Sequence, residues 1–108
     1  MPAPRRPYRI VYDADVGRHL LKIENRQHSL IRRGIEKQLR HEPLSDTRNR
    51  KPLLAPSILG AAWELRLGPQ NRLRVFYRVE RRLREVRVLA VGLKERSRLI
   101  IGGQEFSL

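Results

Sequence analysis

The sequence predicts an α+β fold: an N-terminal strand, a helical hairpin, and then an antiparallel sheet of three to four strands. Helical spacing of apolar residues is confined to the first 41 positions, whereas period-two alternation governs the chain from residue 61 onward. Short polar or glycine-containing stretches separate the alternating segments and are typical of hairpin turns. Helices that precede a run of hairpin-linked strands pack on one face of their sheet. We therefore expect one domain over residues 7–108, after a mobile, basic N-terminus over residues 1–6.

The first half of the chain supplies the first strand and both helices. Residues 8–12 read YRIVY, and their alternation predicts a strand. Between residues 15 and 41 the spacing becomes helical, with a break expected at Asn25. Pro43 ends the second helix because proline cannot continue the hydrogen-bond ladder. The apolar positions are Val16, Leu20 and Ile23 in the first helix, and Leu30, Ile31, Ile35 and Leu39 in the second.

The second half is predicted to form strands over residues 61–67, 72–79 and 84–92, joined by turns at 68–71 and 80–83. In the middle strand the alternation sends one set of side chains to the core and the other set to the opposite face. The core set is Leu73, Val75, Tyr77 and Val79, and the opposite set is Arg72, Arg74, Phe76 and Arg78.

Two further segments join this framework. Residues 44–60 are polar and punctuated by proline, which predicts a loop with one short extended piece at 51–54. The tail over residues 98–108 is predicted to form a short strand and a turn. Its paired glycines and β-branched residues oppose a helix.

The charge of the chain indicates an anionic partner. There are 24 Lys and Arg residues against 11 Asp and Glu, which gives a formal net charge of +13. Nucleic acid is the favoured partner, because guanidinium groups pair with phosphate oxygens bidentately and counterions are released on binding. An anionic membrane surface, an acidic protein and a solvated basic surface without a partner are the alternatives.

Several classes of protein are disfavoured by what the sequence lacks. It contains no cysteine, which excludes disulfides and thiolate metal sites and permits a reducing cytoplasm. No apolar run resembles a secretory signal or the roughly 20 residues of a membrane span, so we expect a cytoplasmic protein without a membrane partner. The phosphate-loop, nucleophile-elbow and zinc-protease motifs are missing. His19, His28 and His41 lack metal-ligand spacing and are expected at the surface or at helix ends, so neither a metal nor a cofactor is expected.

Basic residues on the outward face of the predicted strands are the candidate functional residues. Arg66 and Arg74 share this face if their strands pair, and both are expected to be exposed there. Lys94 is expected just past the third of these strands, where a loop can aim it across the same face. Such cations can stabilise the phosphorane formed when a ribose 2′-hydroxyl attacks its own phosphate, or they can hold an unreacting nucleic-acid backbone. The alternative is a basic face that only aids solubility. The other basic candidates are Lys51, Arg72, Arg78 and Arg96.

Four short segments carry a resemblance to a known family. They are WELR at 63–66, RVFY at 74–77, VGLKERS at 91–97 and the loop TRNRKPL at 47–53. In this order they resemble the RelE/ParE superfamily, the toxins of bacterial type II toxin–antitoxin pairs. The resemblance covers nearly the whole domain.

The resemblance implies roles for individual residues. Arg66 and Arg74 match phosphate-contacting basic residues on the family's second and third strands, and Lys94 matches the basic residue that follows the fourth strand's glycine. The chain departs from the family at Ile100, where RelE-like toxins carry a tyrosine that helps activate the 2′-hydroxyl. It also departs at Glu64, which aligns with a basic residue, and in its strand-like tail, which replaces a C-terminal helix.

Three functions follow as expectations. Members similar to RelE cut mRNA in the ribosomal A site without a metal and so inhibit translation. In such an mRNA interferase Arg66, Arg74 and Lys94 would stabilise the phosphate charge, and Glu64 would be the only carboxylate placed to act as a base. The second expectation is a non-enzymatic, ParE-like inhibitor of DNA gyrase. The third is a degenerate member that binds only its antitoxin. The residues expected to hold RNA are Lys51, Arg72, Arg78 and Arg96.

The partners implied are a cognate acidic antitoxin, the ribosome and mRNA. The antitoxin is expected to cover the basic sheet face in a toxin–antitoxin hetero-oligomer, because its acidic side chains complement that face.

Overall fold

The chain folds into a seven-stranded β-sheet with helices packed on one of its faces. The architecture comes from a computed structural model that describes residues 6–54 and 58–106. The helices are α1 (Val16–Leu20) and α2 (His28–Leu39). In chain order the strands are β1 (Arg9–Tyr12), β2 (Arg50–Pro52), β3 (Trp63–Leu67), β4 (Leu73–Glu80), β5 (Glu85–Glu95), β6 (Arg98–Ile101) and β7 (Gln104–Phe106). Apart from Arg6, the N-terminal segment predicted to be mobile lies outside the described residues.

The sheet is predominantly antiparallel and is organised around β5. Its strands follow the order β2-β3-β4-β5-β6-β7, with every neighbouring pair antiparallel. β1 pairs in parallel with the first half of β5, and β6 pairs with the second half along the same side of β5. The predicted α+β class is therefore confirmed, but the count of three to four strands was too low. The extended piece after residue 50 and both arms of the tail also pair into the sheet.

The helical layer is shorter than the apolar spacing predicts. α1 has five residues, and a 3₁₀ turn over Asn25–Gln27 precedes α2 at the expected break. His28 stabilises the end of α1, because its Nε2 lies 2.9 Å from the carbonyl oxygens of both Leu20 and Ile23. Because both partners are acceptors, Nε2 must carry the proton. The imidazole thereby satisfies carbonyl groups that the end of the helix leaves without a hydrogen bond. No helix within the described residues is long and apolar enough to cross a membrane.

The main core lies between these helices and the sheet. The predicted inward face of β4 is confirmed, since Leu73, Val75 and Tyr77 are buried there and Val79 packs against them. The Tyr77 hydroxyl donates a 2.7 Å hydrogen bond to the carbonyl of Pro43, and its ring stacks on Trp63. The remaining buried members are Val16, Ile23, Ile31, Ile35, Leu39, Leu65, Leu67, Val86, Val88 and Val91.

The opposite face of the sheet is not the continuous cationic surface that the alternation predicts. Phe76, in the middle of that face of β4, is 1 % exposed. It belongs to a second apolar cluster with Ala61, Leu89, Ala90, Leu99 and Ile101. Leu53 and Phe106 pack against this cluster from the loop after β2 and from β7. The arginines of this face are therefore separated into two groups, one at each end of the sheet.

A β-bulge in β5 decides which residues reach this second face. Phe76 pairs with Ala90 and Tyr77 pairs with Val88, so Leu89 has no partner on β4. An extra residue shifts the alternation by one position. Beyond the bulge, Ala90, Gly92 and Lys94 therefore lie on the second face. Without it, Lys94 would point toward the helices.

Two buried polar side chains were not foreseen. Arg50 is 7 % exposed, and its Nη1 donates to the backbone carbonyl of Gln38 at 2.6 Å, while its Nε donates to that of Ser45 at 3.2 Å. It thereby ties β2 to the C-terminal turn of α2. His19 lies in the last turn of α1, at a helix end as expected, but it is not at the surface, since it is only 2 % exposed. Its Nδ1 accepts a hydrogen bond from the backbone N–H of Val91.

Protonation of His19 is expected to destabilise the fold, because Nδ1 must remain unprotonated to accept this bond. Burial, assisted by the charge of Arg18, lowers the pKa of His19 below its usual 6.5. The unfolded chain then binds the proton more readily than the folded chain. The stability that neutral His19 contributes is fully present at pH values above its pKa in the unfolded chain. It is lost as the pH falls toward its pKa in the folded chain. Uptake of one proton changes the free energy of unfolding by at most about 1.4 kcal/mol per pH unit.

Urea unfolding between pH 7.5 and 5 checks this effect. His19→Gln should be less stable at pH 7.5 but should show a smaller loss on acidification. His41→Gln, at an exposed position, should retain the full loss. An unchanged pH dependence in His19→Gln would contradict the assignment.

Gly92→Ala is expected to destabilise the sheet, because β6 passes too close to this position. A Cβ at Gly92 would lie 2.6 Å from the backbone oxygen of Ile100. A backbone atom cannot rotate away, so we expect a loss of about 1–3 kcal/mol in the free energy of unfolding. Gly17→Ala is the matched control, since no atom lies within 4 Å of its added Cβ. Equal stability of the two variants in chemical denaturation would rule out the close approach.

Candidate functional site

The sheet register brings four of the predicted site residues to one face at one end of the sheet. Arg66 of β3 lies directly opposite Arg74 of β4, and Arg74 lies opposite Gly92 of β5. Lys94 is two residues farther along the same face of β5. Glu64 is two residues before Arg66 on the same face of β3. The pairing of β3 with β4, on which the shared face of Arg66 and Arg74 depends, is thus observed.

Glu64 connects the two arginines through a buried ion-pair network. Its Oε1 accepts a 2.8 Å hydrogen bond from Nε of Arg66, and its Oε2 accepts a 3.1 Å hydrogen bond from Nη1 of Arg74. The side chains of Glu64 and Arg74 are 7 % and 8 % exposed, whereas that of Arg66 is 35 % exposed. Directly opposed like charges destabilise a strand pair. Glu64 offsets that repulsion and holds both guanidinium groups in fixed orientations.

The expectation that Arg74 is exposed is wrong. Beyond its bond to Glu64, its Nε donates a 2.7 Å hydrogen bond to the backbone carbonyl of Asn71. Arg74 is therefore held at two points, by a side chain of β3 and by the turn that precedes β4. Truncation at this position would leave a buried carboxylate with only one partner, so we expect it to reduce stability.

Four cations converge on a shallow depression beside this network. Its volume is about 380 Å³, and its lining consists of Gln70, Arg72, Arg74, Lys94, Glu95 and Arg96. Arg72 lies 3.6 Å from the carboxylate of Glu95, which also lies 3.9 Å from Arg98. Lys94 and Arg96 form no ion pair within the described residues. The depression therefore presents positive charge to solvent, and the nearly buried Arg74 forms part of its wall.

Lys94 is positioned differently from the prediction. It lies within β5, not past its end, and pairs with Leu99 of β6. Its backbone N–H donates a 2.8 Å hydrogen bond to the carbonyl of Arg72. The bulge at Leu89, rather than a flexible loop, therefore directs Lys94 toward the depression.

Two strained turns border the depression. Gln70 and Asn71, between β3 and β4, have φ values of 58° and 55°. Arg96, in the two-residue turn between β5 and β6, has a φ of 58°. Side chains in this left-handed region cost free energy, and such residues cluster at functional sites. These turn conformations place the Asn71 carbonyl against Arg74 and place Arg96 at the rim of the depression.

Two of the predicted basic residues lie away from the depression. Lys51 of β2 is the cross-strand partner of Glu64, and its Nζ lies 3.2 Å from Asp46. Arg78 lies on the other side of Phe76, where its Nε is 3.3 Å from Glu80. Arg78 therefore belongs to the opposite end of the sheet. Gln70 and Glu95 line the depression and were missed. Gln70 lies in a turn, where no alternation predicts its direction, and Glu95 is the last residue of β5, beyond the end of the predicted strand.

No histidine or tyrosine lines the depression. Ile100 pairs with Leu93 and so lies on the helix-bearing face, away from Arg74 and Lys94. Tyr77 lies on that face too, where burial raises the pKa of its phenol. Both carboxylate oxygens of Glu64 accept hydrogen bonds from guanidinium groups. Within residues 6–54 and 58–106, no cluster of His, Cys, Asp and Glu is arranged to hold a metal ion.

Comparison with known proteins gives no assignment. No protein-family model matches this sequence, and a search of curated proteins returned no significant match.

Proposed function

We propose that the protein is a RelE/ParE-like toxin whose depression binds an RNA phosphate. Its activity would be ribosome-dependent, metal-independent cleavage of mRNA. The observation that carries the proposal is the convergence of Arg72, Lys94 and Arg96 around Arg74, whose guanidinium Glu64 holds in place. Preorganised cations stabilise developing charge because they need no reorganisation during the reaction. The family membership rests on the sequence resemblance, and the helical hairpin rests on the spacing of the apolar residues between 15 and 41.

In this proposal Glu64 positions cations instead of accepting a proton. To act as a general base it would have to give up a hydrogen bond to Arg66 or Arg74. Arg74 and Lys94 would instead stabilise the charge that builds up on the phosphate oxygens as the 2′-hydroxyl attacks. Arg72 and Arg96, at the rim, would bind the flanking phosphates, and Arg66 would act through Glu64.

A second candidate function is a non-enzymatic, ParE-like inhibitor of DNA gyrase. The absence of histidine and tyrosine from the lining of the depression favours it, because RNA cleavage without a general base is slower. Purified protein added to a translation reaction and to a gyrase supercoiling reaction separates the two functions. A ribonuclease should stop only translation, and a gyrase inhibitor should stop only supercoiling.

The proposed partner that restrains either activity is an acidic antitoxin. Glutamates and aspartates of such a protein would complement Lys94 and Arg96, which have no acidic partner in the described parts of the chain. Binding should weaken as the salt concentration rises.

Lys94→Ala is the cleanest test of the proposed cleavage. Lys94 is half-buried and free of ion pairs among the described residues, so its removal should change stability by no more than about 0.5 kcal/mol. Loss of one charge-stabilising donor should slow mRNA cleavage on ribosomes by roughly 10²- to 10³-fold. Growth arrest on expression should weaken in parallel. Primer extension on ribosome-bound mRNA measures the cleavage rate.

Lys37→Ala, which removes the same charge from the exposed face of α2, is the control and should leave cleavage unchanged. Arg74→Ala is less informative, because loss of a buried partner of Glu64 should itself cost about 1–3 kcal/mol of stability. A folded Lys94→Ala that cleaves mRNA at the normal rate would exclude the depression as the site.

A further inference from the structure

A second group of cations lies at the opposite end of the sheet, around the turn between β4 and β5. Arg81, Arg82 and Arg84 belong to this four-residue turn. Nε and Nη2 of Arg84 donate hydrogen bonds to the carbonyl of Arg6. The backbone N–H of Tyr8 donates to the carbonyl of Arg40 at 2.6 Å, which brings the end of α2 to the same place. We refer to these five arginines as the turn-end cluster: Arg6, Arg40, Arg81, Arg82 and Arg84.

The turn-end cluster has no acidic partner within the described residues. The acidic side chains nearby are already engaged by other arginines. Glu85 is held by Arg9 at 2.7 Å and by Arg87 at 3.1 Å, and Glu80 pairs with Arg78. At the other end of the sheet, by contrast, Glu64 and Glu95 partly neutralise the depression. Repulsion among uncompensated arginines destabilises the free protein and favours an anionic ligand.

One member of the cluster is held in a fixed orientation. The Arg84 guanidinium lies 4.3 Å from the centre of the Tyr8 ring, in a cation–π contact that orients its plane. Its backbone has a φ of 46°, a conformation that favours glycine or asparagine. Residues in such strained conformations cluster at functional sites.

The cluster borders a polar cleft of about 470 Å³. Arg81, Arg84 and His41 contribute donors or positive charge to the lining, and Ser45 adds a hydroxyl. Glu42 also lines the cleft, but its carboxylate lies 3.5 Å from Arg50. The remaining lining residues are Tyr8, Pro43 and Leu44. A phosphodiester group matches this combination, since its oxygens accept the paired N–H donors of an arginine.

We propose that the turn-end cluster is a second RNA-binding surface, which contacts phosphodiester groups away from the depression. This inference rests on the proposed function, because it takes RNA as the ligand. Arg81 lies seven positions after Arg74 along β4 and its turn, which corresponds to about 24 Å of extended chain. The two surfaces would therefore contact separate parts of one structured RNA, with chemistry confined to the depression.

Salt-dependent RNA binding tests the second surface. The probe is a fluorescein-labelled RNA stem-loop, and its binding is measured by anisotropy from 50 to 300 mM KCl. Arg81→Gln/Arg82→Gln removes two exposed charges without touching the depression. If both contact phosphate, the slope of log K against log salt should become shallower by about 1.4–1.8, because each phosphate contributes about 0.7–0.9. Affinity at low salt should fall at least about tenfold.

The control variant is Lys22→Gln/Arg26→Gln, which removes the same net charge near the start of α2. That position is separated from Arg40 by the 12 residues of α2, about 18 Å. A slope for Arg81→Gln/Arg82→Gln equal to that of the control would overturn the proposal. If Arg81→Gln/Arg82→Gln lost affinity for an acidic polypeptide such as polyglutamate but not for RNA, the RNA-binding proposal would also be overturned. The cluster would then be a protein-binding surface. Thermal melting of each variant confirms that the exposed turn tolerates the change.

The experiment separates this inference from the proposed function. If the wild-type protein neither cleaves mRNA on ribosomes nor stops translation, the proposed function fails. The shallower slope of Arg81→Gln/Arg82→Gln would still establish the second surface. If the wild-type protein cleaves mRNA and the slope is unchanged, the proposed function stands and this inference fails.

Discussion

The buried carboxylate of Glu64 is the constraint on which the arrangement of the depression depends. Removing an ion from water costs several kcal/mol, which is tolerated only when its oxygens are fully engaged. Here each oxygen accepts a hydrogen bond from a different guanidinium, Arg66 on one side and Arg74 on the other. The same contacts allow two like charges to lie directly opposite each other in neighbouring strands. Arg74 is thus a fixed element of the sheet and not a mobile surface side chain.

Three features of the backbone determine where the cations of the depression lie. The unpaired Leu89 shifts the alternation of β5, and Lys94 consequently lies on the same face as Arg74. Gly92 lets β6 approach closely beside Arg74, and the strained turn at Asn71 supplies a carbonyl that anchors Nε of Arg74. The second apolar cluster around Phe76 then separates this group of cations from the arginines at the opposite end. Charge therefore collects at two places on the sheet.

The α+β class, the β3–β4 pairing and the inward face of β4 could be predicted from the sequence, because period-two alternation reports directly on the faces of a strand. A short extended piece at 51–54 and a short strand in the tail could also be predicted, but segments of three or four residues carry too little alternation to show which strands they pair with. Alternation also cannot show that an apolar cluster covers part of the second face, so the burial of Arg74 could not be predicted. The bulge at Leu89 interrupts the pattern within an unbroken apolar run, so the direction of Lys94 could not be deduced. Arg50 and the exposed Arg48 look alike in sequence, because only the fold places the carbonyl of Gln38 within reach of Arg50.

A double-mutant cycle between Glu64 and Arg74 tests the central interaction most directly. The free energy of unfolding would be measured by urea denaturation for Glu64→Gln, Arg74→Met and the double variant. If the buried pair holds the site together, the double variant should be less destabilised than the sum of the single variants, with a coupling of about 1–3 kcal/mol. A parallel cycle of Glu64 with Arg78, beyond Phe76, should be additive within about 0.5 kcal/mol. Additive effects at Glu64 and Arg74 would contradict the view that Glu64 fixes the arginines of the depression.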